Sequence, residues 1–319
     1  MTSRFPFPTR LPIVSAPMFL VSGPELVVAA ARAGVVGAFP SPNCRTSDDL
    51  DSWMTTIAAG VHDAAATNPS TPVAPWALNL VTHSSNPRLA GDLEVVAQHK
   101  PPIVITALGS PAPVMDVVKG YGGLVIADVV NLKLAHKAAK LGVDGLACIS
   151  SGAGGHTGHL SPFAFISAVR EFFDGIVTVG GGITDGYGVA GAIASGADLV
   201  YMGTRFLVTN ESMAPDAYKQ MIVDHGIDDL IVSSGVTGTD ASWLRPSLIA
   251  NGLDPDNLVA PTERKYGAGN KKWRDIWAAG QGLQTIRAVE PVADVVDRLD
   301  GEYRHAFDRF AGLTQALVP

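Results

Sequence analysis

Residues 151–162, SGAGGHTGHLSP, set His156 and His159 in a run made mostly of glycine and small side chains. Glycine lets backbone pass close to a ligand because no Cβ stands in the way. A histidine there has a reference pKa of about 6.5, suited to taking a proton from a carbon acid near neutral pH. The pair also spells H-x-x-H, but no carboxylate or cysteine stands near it in sequence to complete a metal's ligand set. His156 is therefore the candidate catalytic base, and Gly154, Gly155 and Gly158 are clearance for a flat ring. His159, beside Ser161-Pro162, reads as a rim or helix-start residue, and no metal is expected.

Two further glycine segments follow directly on short apolar runs: Gly180-Gly181-Gly182-Ile183-Thr184-Asp185-Gly186 and Gly203-Thr204-Arg205. Loops of this kind bind phosphate through backbone N–H groups and a helix N-terminus. Gly186 to Gly191 also matches the dinucleotide fingerprint G-x-G-x-x-G. It begins several residues past the strand end, within a helical pattern, and is rejected as a fingerprint.

The elements that would position these residues are legible as an alternation. Candidate strands are residues 12–17, 34–39, 74–80, 102–108, 122–127, 145–150, 175–181 and 198–203, continuous apolar runs as in parallel strands buried on both faces. Helical stretches lie between them. Gly23-Pro24-Glu25 opens one, Ser47 is placed to cap the next, and Gly142, Gly196 and Gly226 sit where C-terminal caps are wanted. Eight strand–helix units predict an α/β fold, a (β/α)8 TIM barrel over 1–226. From about residue 227 the rhythm stops, and 227–319 reads as an appended cap of loops with a short helix, ending in a C-terminal helix from Pro291.

Barrel chemistry sits at the C-terminal ends of the strands, which places all three glycine segments at one mouth. Other residues there are Ala16 and Met18 after strand 1, Asn79 and His83 after strand 3, and Asp128 after strand 5. Asn79 can donate and accept at once, and Asp128 suits a ribityl-type hydroxyl or a helix cap. In the tail, Tyr266, Lys272, Trp273 and Trp277 mix aromatic and basic groups that would receive an anionic substrate, or form a solvated face.

Composition bounds the rest. A net charge of −7 argues against nucleic acid as a partner. Two distant cysteines, Cys44 and Cys148, fit a reduced cytoplasmic protein, and no apolar run reaches membrane-span length. The oligomeric state is left open.

Together, PIVSAPM near the start, AGGHTG, GGGITDGYGVAGAIASGADLVYMGTRFL and IWAAGQG resemble the nitronate monooxygenase family over nearly the whole length. The resemblance implies FMN across the barrel mouth. Its phosphate would lie on Gly180, Gly181, Gly182, Gly203 and Thr204, and its ring and ribityl chain near Ala16, Met18, Asn79, Asp128, Gly154 and Gly155. Gln281 would touch flavin or substrate. It also implies His156 as base, with dioxygen converting nitronates to carbonyl compound and nitrite. His83, Tyr266, Lys272 and Trp277 are expected nearer the small-molecule substrate. Ile149, Gly152 and Asp128 depart from the family pattern beside the ring. The alternative on the same scaffold is an FMN-dependent NAD(P)H reductase of quinones or enoyl thioesters.

Overall fold

The computed structural model describes residues 4–67, 72–260 and 271–316. All eight expected strands form: β1 (Ile13–Ser15), β2 (Val36–Pro40), β3 (Trp76–Val81), β4 (Ile103–Ala107), β5 (Leu124–Val129), β6 (Gly145–Ile149), β8 (Ile176–Gly180) and β9 (Leu199–Met202). They close into a parallel barrel in that order, β9 pairing back onto β1 through Val200 and Ile13. Helices α1 (Pro24–Ala33), α2 (Ser47–Thr67), α3 (Leu89–His99), α4 (Ala112–Gly120), α5 (Leu132–Lys140), α6 (Pro162–Arg170) and α7 (Gly186–Ala194) fill the crossovers. The fold is thus the (β/α)8 barrel that the apolar runs predict.

Alternation along each strand sorts its side chains into two cores. Val14, Ala38, Ala77, Ile126, Ala147 and Leu199 fill the barrel interior. Ile13, Leu78, Val104, Leu146, Val177 and Val200 face outward and pack with the helices. Both layers are apolar, so the strands read as continuous runs rather than alternating ones.

Several boundaries are set by local hydrogen bonds. Asn131, Ser161 and Asp185 accept from backbone N–H groups in the first turns of α5, α6 and α7. Ser47 does not cap α2: Thr46 does, in a reciprocal box with Asp49, while the Ser47 hydroxyl donates to Asp92. Gly142 and Gly196 take the left-handed conformation that ends a helix, at φ of 77° and 108°. Gly226 does not; its φ is −119°, and it precedes a short 3-10 turn.

Beyond the barrel come α8 (Thr204–Leu207), α9 (Asp216–Asp224), α10 (Arg245–Ala250), α11 (Lys271–Asp275) and α12 (Val292–Ala316). Helix α12 lies against α7 and α1, with Val292, Val295, Val296 and Leu299 in the outer core. The first glycine of the rejected fingerprint serves this packing, since a Cβ on Gly186 would stand 2.4 Å from the Leu299 carbonyl. Part of the stretch expected as loop is instead a hairpin, β10 (Leu230–Ser233) with β11 (Ala241–Leu244). Strands of four residues are too short to show a period.

Candidate active site

The glycine segment after β6 does not end as a free loop. Gly155–His156 forms β7, which pairs antiparallel with β11, His156 opposite Ala241 and Gly155 opposite Ser242. His156 is thereby carried on a three-stranded sheet, β10-β11-β7, standing at the barrel mouth. Ser151 N–H donates to Leu160, and the Thr157 hydroxyl donates to Ser150, tying off the segment beneath. At Gly158 a Cβ would stand 2.2 Å from the Ile149 carbonyl, so only glycine passes there.

The His156 side chain is exposed at the mouth, yet burial of its surroundings holds its pKa below the ordinary histidine value. The two observations agree if the ring opens into a concavity rather than bulk water. Trp273, on α11, forms one wall: its indole meets the imidazole edge-on, ring centroids 5.1 Å apart. Burial there disfavours the charged imidazolium relative to the neutral ring, the form that accepts a proton. His159 is rim-like, with Nε2 3.2 Å from Asp240. Among the described residues no three His, Cys, Asp or Glu side chains converge as metal ligands.

The glycine segments after β8 and β9 converge with the tail. Gly280 N–H donates to the Thr204 hydroxyl at 2.9 Å, Gln281 N–H donates to the Gly152 carbonyl at 2.9 Å, and the Thr184 hydroxyl donates to Gly282 at 2.9 Å. One short tail segment, the start of a 3-10 turn (Gln281–Thr285), therefore fastens the ends of β6, β8 and β9. Gly181 and Gly182 adopt φ of 147° and 69°, conformations that favour glycine. A Cβ on Gly182 would come no nearer than 3.7 Å to Gln281, and one on Gly203 no nearer than 3.6 Å to Met18. These two positions are open cradle, whereas Gly154 and Gly180 are glycine because Gly280 and Tyr201 pack against them. Arg205 points away from the cradle; it is buried against Glu290 at 2.6 Å.

Ala16 and Met18, half-open, stand beside Gly203 just past the end of β1. Their loop is pinned by Asn43, whose side chain donates to the Met18 and Ser22 carbonyls and accepts from Leu20 N–H. Leu20 and Leu108, after β1 and β4, both sit at positive φ, 61° and 59°, placing backbone strain at the mouth. On the floor, Asn79 donates to Asp128 at 3.2 Å and Tyr201 donates to it at 3.5 Å. Burial pushes the Asp128 carboxyl up to about 7, against both hydrogen bonds. It also pushes the Tyr201 phenol well above its usual value.

The remaining candidates are placed less centrally. His83 follows β3 and turns its Nδ1 to Ser85 at 2.7 Å. Trp277 lies flat on Tyr218, centroids 4.9 Å apart. Tyr266 and the Lys272 side chain lie outside the described residues. Sequence reading missed Tyr201, Asn43 and Ser242 as parts of the site. Tyr201 alone carried a signal, because it shares the inward parity of Leu199.

The fold is a closed (β/α)8 barrel that carries His156 and an open glycine cradle at one mouth. The profile of the family described as nitronate monooxygenase matches residues 6–301, and the chain belongs to that family. It is 31% identical over 242 residues to a (3aS,4S,5R,7aS)-5-hydroxy-7a-methyl-1-oxo-octahydro-1H-indene-4-carboxyl-CoA dehydrogenase of Mycobacterium tuberculosis, covering 75% of this chain and 64% of that one. The chain thus spans slightly less than two thirds of that relative. A nitronate monooxygenase of Paraburkholderia phytofirmans is 25% identical, with 93% of each chain covered. In fold, the chain resembles a nitroalkane oxidase from Streptomyces ansochromogenes, with TM-score 0.78, 22% identity and 95% and 98% of the two chains covered. No described helix is long and apolar enough to cross a membrane.

Proposed function

We propose that this chain is an FMN-dependent nitronate monooxygenase in which His156 is the catalytic base. The observation that carries the reading is the placement of His156 on the β7–β11 pairing beside an open glycine cradle, where burial holds its pKa below the ordinary histidine value. Gly181, Gly182, Gly203 and Thr204 would hold the FMN phosphate, and Ala16, Met18, Gly155 and Gln281 would border its ring. When bound, FMN accepts electrons from the substrate and passes them to dioxygen. His156 removes the α-proton of a neutral nitroalkane, or orients a nitronate that is already anionic. The Trp273 wall keeps water from one side of the imidazole, so the base stays unprotonated. The segment from residue 227 serves as cap through β11 and α11. Two buried free thiols, Cys44 and Cys148, support a cytoplasmic setting.

A second reading has its own support. The 31% identity to a coenzyme A thioester dehydrogenase favours a thioester substrate, with NAD(P)H or its oxidised form as redox partner. Anaerobic rapid mixing separates the two. The first reading expects flavin bleaching by a nitronate and none by NADH or NADPH. Bleaching by a nicotinamide nucleotide alone would overturn it in favour of the second.

A further inference from the structure

We infer that Asp128 is a proton-accepting residue in the floor of the mouth, held by Asn79 and Tyr201, that takes up one proton when the bound flavin is reduced. The inference rests on the flavin reading above and deepens it. Three polar side chains from three strands meet inside a barrel whose inward side chains are mostly apolar, Asn79 from β3, Asp128 from β5 and Tyr201 from β9, and the one further inward polar group on β8, Thr178, is uncharged. Asn79 and Tyr201 are 6% and 7% exposed, so the cluster is built into the fold.

The groups around the carboxyl are all neutral. Of the strands beside β5, β4 turns Ile105 inward and β6 turns Ala147 inward. The single titratable group on those two strands, Cys148, packs outward with the helices. Tyr201 is the titratable group from β9, and β3 adds the uncharged Asn79. No described cation lowers the carboxyl, and its ordinary charge is disfavoured enough to bring it to about 7. A second negative charge arriving on a reduced flavin above this floor would raise it further.

The step balances as follows. In a two-electron reduction with dithionite the reductant would supply both electrons to the flavin, and solvent would supply the one proton that goes with them. The Asp128 carboxylate takes a second proton from water and becomes a carboxylic acid. Reoxidation returns both protons.

The test is the flavin midpoint potential against pH, measured on the FMN-loaded protein and on Asp128→Asn with dithionite as reductant. Each pH unit is a tenfold change in proton activity, worth ~30 mV per proton in a two-electron couple. Wild type is expected to gain that extra slope above about pH 7, where the oxidised protein carries an ionised Asp128, and Asp128→Asn is expected to lack it. Equal slopes in the two loaded proteins overturn the inference while leaving the flavin reading intact. Wild-type protein that takes up no FMN overturns both. Should Asp128→Asn fail to fold or load, the wild type answers alone. A reduced-minus-oxidised infrared spectrum at pH 8, with 13C-carboxyl aspartate, is expected to show a labelled protonated carboxyl appearing on reduction; no such band overturns the inference.

Discussion

The imidazole of His156 and the indole of Trp273 meet edge-on at 63°, centroids 5.1 Å apart, although one belongs to the segment after β6 and the other to α11. A Cβ on Gly155 would only touch the indole, at 3.8 Å, so it is the backbone φ of 65° and not the ring contact that favours glycine there. The base and its wall thus come from distant parts of the chain.

The wall has a consequence for pH. Desolvation lowers the His156 pKa, so the neutral base persists to more acid pH than an ordinary histidine near ~6.5. Turnover of neutral nitroalkanes should fall as pH drops through that lowered value. Trp273→Ala admits water and should move the acid limb of kcat/KM upward, toward ~6.5. An unmoved limb would mean that Trp273 does not set it.

Removal of the base separates proton abstraction from binding. His156→Ala should lose ~10²–10⁴-fold in turnover of neutral nitroalkanes, the usual contribution of a general base. Pre-ionised nitronates should lose far less. Equal losses on both forms would leave His156 as an anion-binding or structural residue.

Gly203 offers a cleaner test of the cradle than Gly181. A Cβ at Gly181 would collide with the Ser151 carbonyl at 2.5 Å, so a substitution there disturbs the loop itself. At Gly203 the backbone is right-handed and the nearest atom is Met18 Sδ at 3.6 Å. Gly203→Val should therefore fold with a nearly unchanged Tm yet lose its flavin absorbance. A full yellow complement would place the phosphate elsewhere.

Arg205 is a structural charge. It is 3% exposed and its guanidinium donates to Glu290, which also receives two bonds from Arg298. Glu290→Gln leaves a buried cation poorly compensated and should cost about 3 kcal/mol in urea unfolding, at the low end for a broken buried pair because Glu290 is partly open. A change below about 0.5 kcal/mol, the range of ordinary surface substitutions, would show that water solvates Arg205.

The amino-acid sequence by itself determined the barrel and the contents of its mouth. Strands buried on both faces carry a continuous apolar signal that needs no partner to be seen, and caps such as Asn131, Ser161 and Asp185 act within one helical turn. His156, Gly182, Gly203 and Thr204 follow such runs, so the fold's own rule placed them. Tertiary structure alone decided the rest. The two residues of β7 have no period of their own, and their strand exists because β11 lies alongside. The sequence placed Trp277 but not Trp273 among the substrate candidates; chain closure instead set Trp273 against His156 and Trp277 on Tyr218. Likewise Arg205 read as part of a phosphate loop until Glu290 arrived to hold it away, and Asp128 read as a cap or hydroxyl ligand until β9 brought Tyr201 across the barrel. Each outcome depends on which distant groups share a low-dielectric space, and that is a property of the closed barrel rather than of any local stretch.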